Sequence, residues 1–481
     1  MTGIPDLRDH LDALAALGDL RVVDEPIDPD LEVAAYTRHG YENRSPAPLF
    51  TRPACAVPGA RLLGAPAALS SRADLPLARV ALSLGLDPAT APAAIVDRLA
   101  RVRDLPPVPP RIVADGPCQR HVALGAEADL DRWPVPVVHD GDGGPYVNTW
   151  GTIVVRTPDG SWTNWSISRV QKLDGHRMTG LFVPSQHLGV IWRQWADRGE
   201  PMPFALFQGG PPATPFVSSM PLARDVDEVG YLGAFYDQPV ELVRCATVDL
   251  AVPTTAEVVI EGHVSPGRDA DEGPFGEFPG YLVSGTGREP VYTITAITHR
   301  DDPVWPVIAE GRPVDDYHTA AGVCFAAEAL GLLRAAGLPV TTVWCPFETA
   351  NHWMVVTVPA DWRRAGLDST TLCARIGEVV WPTKFGFTVP KLFVLDDDVD
   401  PADPAELLWA VGTRQHPVDR VGVNAGPILP ILACYTEREK AAKVGPRAVY
   451  DCLLEHRPAH SSFAGAYPAG VRERVRALLE R

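Results

Sequence analysis

The chain has no CxxC pair, no Cys/His spacing suited to a zinc site, no long apolar run and no surplus of positive charge. Its eight cysteines (55, 118, 245, 324, 345, 373, 434 and 452) are scattered through 481 residues, which excludes a disulfide framework. Reduced, mostly buried thiols and a cytoplasmic location are the expectation. A net charge of −17 argues against nucleic acid or an anionic membrane as the main partner. No stretch approaches the ~18 consecutive apolar residues of a spanning helix. Met1-Thr2-Gly3-Ile4 lacks the basic region and apolar core of a secretory signal, so none is expected. No GxGxxG opens a helix after a strand, and no internal repeat is visible.

What is present is a hydrophobic fraction of 46% with 21% charged residues, the balance of a globular chain with two or three domains. The 49 prolines are spread through loops and read as rigid connections. Residues 1–120 read as an N-terminal α/β domain. Leu7, Leu11 and Leu14 lie at helical spacing, Gly18 is a C-cap, and Leu20 to Val23 is a strand. The stretch Leu105 to Arg111 is the linker candidate. Residues 121–310 carry short β-rich runs between Gly/Pro/Asp turns, the pattern of an antiparallel sheet or barrel. Within it, Thr152–Arg156 and Trp162–Arg169 read as a hairpin about Pro158-Asp159-Gly160. Residues 311–481 alternate helix (319–336, 370–380, 405–414) with strand (340–344, 353–358, 392–395), so α/β layering is expected. The last helix carries Val471, Val475, Leu478 and Leu479 on one face, to be buried on its own domain or on a partner subunit.

Chemistry is concentrated in two segments. In Asp271-Glu272-Gly273-Pro274-Phe275-Gly276-Glu277-Phe278-Pro279-Gly280-Tyr281, two glutamates flank a Gly/Pro turn, so the segment is not helical and its ends can converge on one pocket. Paired carboxylates in apolar surroundings titrate apart, the arrangement that acid/base chemistry uses. The second segment is Thr163-Asn164-Trp165-Ser166-Ile167-Ser168-Arg169. Arginine stays charged and presents a planar fork, suited to a substrate carboxylate or to Glu272. A guanidinium on Glu272 would leave Glu277 freer to hold a proton. Asn164 and Arg169 are an odd number of residues apart, so a regular strand would point them to opposite faces. An irregularity is therefore expected around Trp165 to Ser168.

Taken together and in this order, the two segments resemble the UbiD family of decarboxylases, which includes the ferulic (phenylacrylic) acid decarboxylases. The resemblance also rests on Pro184-Ser185-Gln186-His187, Val217-Ser218-Ser219-Met220-Pro221, Asp227-Glu228-Val229-Gly230-Tyr231-Leu232-Gly233, Thr383-Lys384-Phe385-Gly386-Phe387 and Asp396-Asp397-Asp398. It implies a split β-barrel that binds prenylated FMN, between an N-terminal α/β domain and a C-terminal α/β layered oligomerisation domain. It implies Asn164, His187 and Glu228 as ligands of Mn²⁺ or another divalent cation, with K⁺ as a possible further ion. That N/O set suits such a cation and suits structural zinc poorly. Ser166, Ile167, Arg169, Gln186, Ser218, Met220, Pro221 and Lys384 would contact the cofactor. Arg169, Glu272 and Glu277 would be catalytic, with Glu277 the proton donor.

The implied reaction is non-oxidative, reversible loss of CO₂ from an α,β-unsaturated acid. A vinylic carbanion is beyond the reach of side chains alone, and proteins delegate it to a cofactor. The implied partners are the acid, a flavin prenyltransferase as cofactor supplier, and further copies in a homodimer or larger homo-oligomer. Small residues in Thr319-Ala320-Ala321-Gly322 and Gly426-Pro427-Ile428 suggest room for a large substrate. With the Ala/Arg/Pro-rich composition, they suggest natural-product tailoring, as in antibiotic biosynthesis. A flavin oxidoreductase on the same barrel and a non-catalytic oligomeric homologue are the alternatives. The first leaves Glu272 and Glu277 without a task; the second would be favoured by loss of Arg169, Glu272 or Glu277, and all three are present.

Overall fold

A computed structural model describes residues 4–282 and 285–479; Met1, Thr2 and Gly3 of the N-terminal reading lie outside it. Helix Leu7–Leu17 starts where Asp6 accepts hydrogen bonds from the Arg8 and Asp9 amides and stops at Gly18. At Gly18 the backbone turns left-handed (φ +74°), a conformation without penalty only for glycine. Leu7, Leu11 and Leu14 are buried, as their spacing requires. Strand Leu20–Val23 follows as expected and pairs with Ala47–Phe50 and, through it, with Arg61–Gly64. The fourth strand of this sheet comes from far along the chain: Val304–Val307 runs parallel to Arg61–Gly64.

The central sheet has nine strands. Along it lie Tyr146–Asn148, Val170–Lys172, Arg177–Gly180, Val291–His299, Ala256–Val264, Met202–Gly209, Thr152–Arg156 and Thr163–Ser166, with His121–Leu124 also on Val291–His299. Its neighbours are antiparallel. Thr163–Ser166 ends one side of this order, yet only Ile167–Arg169 separate it in sequence from Val170–Lys172, near the other side. Laid flat, the six intervening spacings would cover about 29 Å. Four Cα steps reach at most about 15 Å. The sheet must therefore curl until its two ends face each other across an unpaired seam, which makes it a split barrel. The expected hairpin is present, but its second strand stops at Ser166, and Ile167–Arg169 form the bridge across the seam.

Beyond the barrel, helix Asp316–Ala335 begins three residues before the expected start. Asp315 caps it, accepting from the Tyr317 and His318 amides. Five strands follow in the order Thr342–Trp344, Trp353–Val358, Lys391–Asp396, Val444–Asp451, Val421–Pro427. The inner pairings are parallel and both outer ones antiparallel. A single apolar cluster joins Leu99, Phe216, Leu330 and Val343, so the three regions share one core. The C-terminal helix Ala469–Leu479 has no buried residue.

Candidate active site

The bridge at the seam sets up the site. Outside the ladder, the Ile167 and Ser168 amides make no backbone hydrogen bond among the described residues. Asn148 Nδ2 holds the Ser168 carbonyl at 2.8 Å, and the Ser168 hydroxyl donates to the Leu181 carbonyl. The bridge is thus anchored through side chains, and Ile167 and Arg169 face an open cleft. This is the expected irregularity, and it lets Asn164 and Arg169 serve one region despite their odd spacing.

Arg169 is the hub. Its Nε and Nη2 each donate to a Glu272 carboxylate oxygen at 2.8 Å, the bidentate fork expected of this pair. Its Nη1 also contacts Glu277. This corrects the expectation that pairing with Glu272 leaves Glu277 free: a guanidinium has enough N–H groups for both carboxylates. The guanidinium lies 5.4 Å from the Phe275 ring centre, a cation–π distance. Burial works against its charge, yet the Glu272 carboxylate outweighs burial and holds Arg169 above its ordinary value. Behind Glu272, the buried Tyr146 hydroxyl donates to Oε1 at 3.1 Å; burial and the Glu272 charge push that phenol up. Gly273, at φ +85°, makes the turn between the two glutamates and donates its amide to Gln171. Two short ribbons, Ala270–Glu272 on Gly287–Glu289 and Gly276–Glu277 on Tyr281–Leu282, then aim both carboxylates at Arg169.

A second cluster forms at the end of strand Thr163–Ser166. The Thr163 amide donates to Asp227, the Trp165 amide to Glu228 Oε2, and Asn164 Nδ2 to Glu228 Oε1 at 2.7 Å. Glu228 opens helix Glu228–Tyr236 and is buried there. His187 opens helix His187–Ala196, with its ring edge-on to Trp162 at 4.7 Å. Its Nδ1 is buried, has no hydrogen-bond partner among the described residues, and lies 3.8 Å from Glu228 Oε1. That gap is too wide for a hydrogen bond. An orphaned imidazole nitrogen facing a carboxylate, with an amide side chain on the same carboxylate, fits a hard-to-borderline divalent cation. The Ser166 hydroxyl donates to Asn164 Oδ1 and ties this cluster to the bridge.

Between the clusters runs a cleft of about 390 Å³, walled by Ile167, Arg169, Gln186, Ser218, Met220, Pro221, Glu277 and Lys384, with Phe275, Phe278, Tyr317, Phe325, Phe385 and Phe387 as aromatic walls. Ser166 and Glu310 line its continuation. Asn164, His187 and Glu228 lie behind its surface. Burial lowers Lys384 to about 8, opposed by the negative Glu228. The cleft gathers the residues expected to contact the cofactor, and its unbonded Ile167 and Ser168 amides and its lysine fit a flavin phosphate and ring. The argument for extra room is corrected in part. The Thr319 hydroxyl is committed to the Ala67 carbonyl, a side chain on Gly322 would meet Phe347 and Asn351, and one on Gly426 would meet Arg447. Only Ala321 of these small residues lines the cleft.

Glu310 and Tyr146 were not singled out from the sequence, since an isolated Glu or Tyr carries no motif. Burial, reinforced by the Asp315 charge and opposed by Arg169 and Arg38, pushes Glu310 up to about 8.

Residues 11–99, 111–313 and 318–452 match, respectively, the N-terminal, Rift-related and C-terminal domains of 3-octaprenyl-4-hydroxybenzoate carboxy-lyase, UbiD. The chain is 39% identical over 478 residues to the pyrrole-2-carboxylic acid decarboxylase of Pseudomonas aeruginosa, covering 98% of this chain and 96% of that protein. It is 36% identical over 492 residues to ferulic acid decarboxylase 1 of Saccharomyces cerevisiae, with coverage of 98% and 96%. An evolved dimeric form of the UbiD-class enzyme HmfF from Pelotomaculum thermopropionicum, solved with prFMN, superposes with a TM-score of 0.79 at 25% identity, over 97% of this chain and 99% of that one.

Proposed function

Because the chain belongs to the UbiD family of carboxy-lyases, we propose that it removes CO₂, reversibly, from an acid whose carboxyl is conjugated to a carbon–carbon double bond. The observation that carries this reading is Arg169 gripping Glu272 and reaching Glu277 at the mouth of an aromatic-walled cleft. Prenylated FMN is the proposed cofactor, supplied by a flavin prenyltransferase; when bound, it would take up the electron pair left by departing CO₂. Asn164, His187 and Glu228 would hold Mn²⁺ or a similar divalent cation beside the cofactor phosphate, with K⁺ as a further ion. Lys384 would add positive charge at the phosphate. Ser166, Ile167, Gln186, Ser218, Met220 and Pro221 would shape the remaining contacts.

In this reading the substrate carboxylate takes the place of Glu277 on Arg169 Nη1, while the fork to Glu272 keeps the guanidinium oriented. Glu277, released from the cation, would take up a proton from water in the cleft and deliver it to the carbon that has lost CO₂, which balances the electron pair left behind and returns Glu277 to its carboxylate form. Phe275, Phe278 and Tyr317 give the cleft beside Glu277 an aromatic wall. The cleft beyond Ala321 leaves room for an acid larger than cinnamate, and a tailoring role on a natural product is the wider form of the proposal. A homo-oligomer in the cytoplasm completes it; the free state of all eight cysteines supports a reducing compartment. Among the described residues no helix is long and apolar enough to cross a membrane.

The test is CO₂ release from cinnamic, sorbic, pyrrole-2-carboxylic and longer unsaturated acids. The protein is co-expressed with a flavin prenyltransferase and supplied with Mn²⁺, and Glu277→Gln is run in parallel. Turnover that requires the prenyltransferase and falls by roughly 10²–10⁴-fold in the variant is expected. Failure to bind any flavin would sink the reading.

A further inference from the structure

Glu310 sits in the cleft wall, and the reaction proposed above gives it no task. Its backbone is fixed from three sides. The Ala309 carbonyl accepts from Arg38, the Glu310 carbonyl accepts from His139 Nε2 at 2.6 Å, and the Gly311 amide donates to Asp315 Oδ2 at 2.9 Å. Its carboxyl, by contrast, has no hydrogen bond or ion pair among the described residues. A half-buried carboxyl in a rigid setting, open to the cleft and without a partner, is prepared for a ligand that arrives later.

Two features say what that ligand group is. Arg169 and Glu277 line the same part of the cleft, and the Arg169 charge reaches the Glu310 carboxyl. The group that meets Glu310 is therefore close to the substrate carboxyl, not at the far end of the molecule. A second anionic group is disfavoured there, because Glu272, Glu277 and Asp315 already surround the available arginines. A neutral hydrogen-bond donor satisfies the carboxyl without adding charge.

We propose that Glu310 is a specificity-determining residue that accepts a hydrogen bond from an N–H or O–H group adjacent to the substrate's carboxyl, so that the enzyme prefers acids of the pyrrole-2-carboxylate type over isosteres lacking that donor. This assignment rests on the decarboxylase reading. A site built to pair a buried polar group discriminates strongly against a ligand that leaves it unpaired. Burial of Glu310 is consistent with the role, since it keeps the carboxyl largely protonated near neutrality and able to accept through its carbonyl oxygen without repelling the anionic substrate.

Two matched pairs test it on the cofactor-loaded protein: pyrrole-2-carboxylate against furan-2-carboxylate, which replaces N–H by oxygen, and 4-hydroxycinnamate against cinnamate, whose donor is remote. Both kcat/KM for CO₂ release and the Kd by calorimetry are measured for the intact enzyme, Glu310→Leu and the near-isosteric Glu310→Gln. The intact enzyme is expected to favour pyrrole over furan by roughly tenfold to a hundredfold. Glu310→Leu should bring that ratio to near unity, and Glu310→Gln should keep part of it through its amide oxygen. The 4-hydroxycinnamate to cinnamate ratio should not move in either variant. A pyrrole preference that survives in both variants, or that the intact enzyme never shows, overturns the assignment. Cinnamate turnover without any pyrrole discrimination would leave the decarboxylase reading standing and remove Glu310 from it. Discrimination in Kd that depends on Glu310, with no CO₂ from any acid, would do the reverse.

Discussion

At the scale of the residue, the site turns on how one guanidinium is shared. Arg169 offers a fork whose two nitrogens match Glu272, and its third nitrogen reaches Glu277. Lysine has the charge but not the plane, so it cannot hold Glu272 in two places and still point a donor at the substrate. Arg169→Lys is therefore expected to lower kcat/KM by at least ~10²-fold, the scale of lost orientation, while the flavin spectrum of the loaded protein is unchanged. Loss of flavin in that variant would mean that Arg169 serves binding more than catalysis. Glu310 gives a stability signature that needs no cofactor. Its folded-state value of about 8 stands above its ordinary 4.5 because burial disfavours the charged form. The folded protein therefore keeps a proton that the unfolded chain has released. Its contribution is full below about 4.5 and is lost as pH rises to about 8, where both states are ionised. Between pH 6 and 8 the melting temperature of the intact protein should fall relative to Glu310→Gln, and above about 8 the two curves should run parallel. Parallel curves throughout would mean that the carboxyl is hydrated and ordinary.

At the scale of the element, termini do much of the positioning. His187 and Glu228 each open a helix, and Asp315 caps the helix that lies behind the cleft. Asp315 also binds Arg38 and the Gly311 amide, so it ties that helix to the strand-end carrying Glu310. Replacing it by alanine removes the cap, about 1 kcal/mol, and leaves a half-buried arginine unpaired, which brings the loss to about 3 kcal/mol or more. Urea denaturation of Asp315→Ala measures it; a loss under 1 kcal/mol would mean that water replaces the carboxylate. Elements of this kind were readable from the sequence. Leu7, Leu11 and Leu14 with Gly18 define the first helix, and the odd spacing from Asn164 to Arg169 demanded the break that the bridge supplies. The Arg169–Glu272 pair follows from charge and the turn between the glutamates, whereas the Glu277 contact needed the ribbon geometry. Nothing local announces that Val304–Val307 leaves the barrel to join Arg61–Gly64, because a parallel pairing across 240 residues has no sequence periodicity of its own. Glu310 follows that strand into the cleft wall, and its place was illegible for the same reason. Of the small residues at 319–322 only Ala321 lines the cleft, which the sequence could not show because a helix face cannot be assigned to a cavity before its neighbours are known.

At the scale of the whole molecule, exposed apolar surface is unevenly placed. Of nineteen large hydrophobic residues exposed among the described residues, ten lie beyond residue 404, so the C-terminal region is where a partner is wanted. Two features there face solvent together. Strand Val421–Pro427 is the outer strand of its sheet with Val423 66% exposed, and helix Ala469–Leu479 leaves Val471 and Leu478 48% and 58% exposed. An apolar edge strand and an amphipathic helix without a buried residue are each unfavourable in an isolated chain. A second copy would supply the complementary surface at no cost in new sequence, because a two-fold interface buries the same patch from both sides. Light scattering at micromolar concentration is accordingly expected to give a dimer or a multiple of one. Val423→Lys combined with Leu478→Glu places charge in both patches and should shift the mass toward the monomer, with the circular dichroism spectrum unchanged. Since Arg169, Glu272 and Glu277 all come from one chain and lie far in sequence from both substitutions, dissociation by itself should leave flavin binding intact. A monomeric intact protein would locate the partner of this surface elsewhere than in a second copy. An unchanged mass in the double variant would move the interface off these two elements.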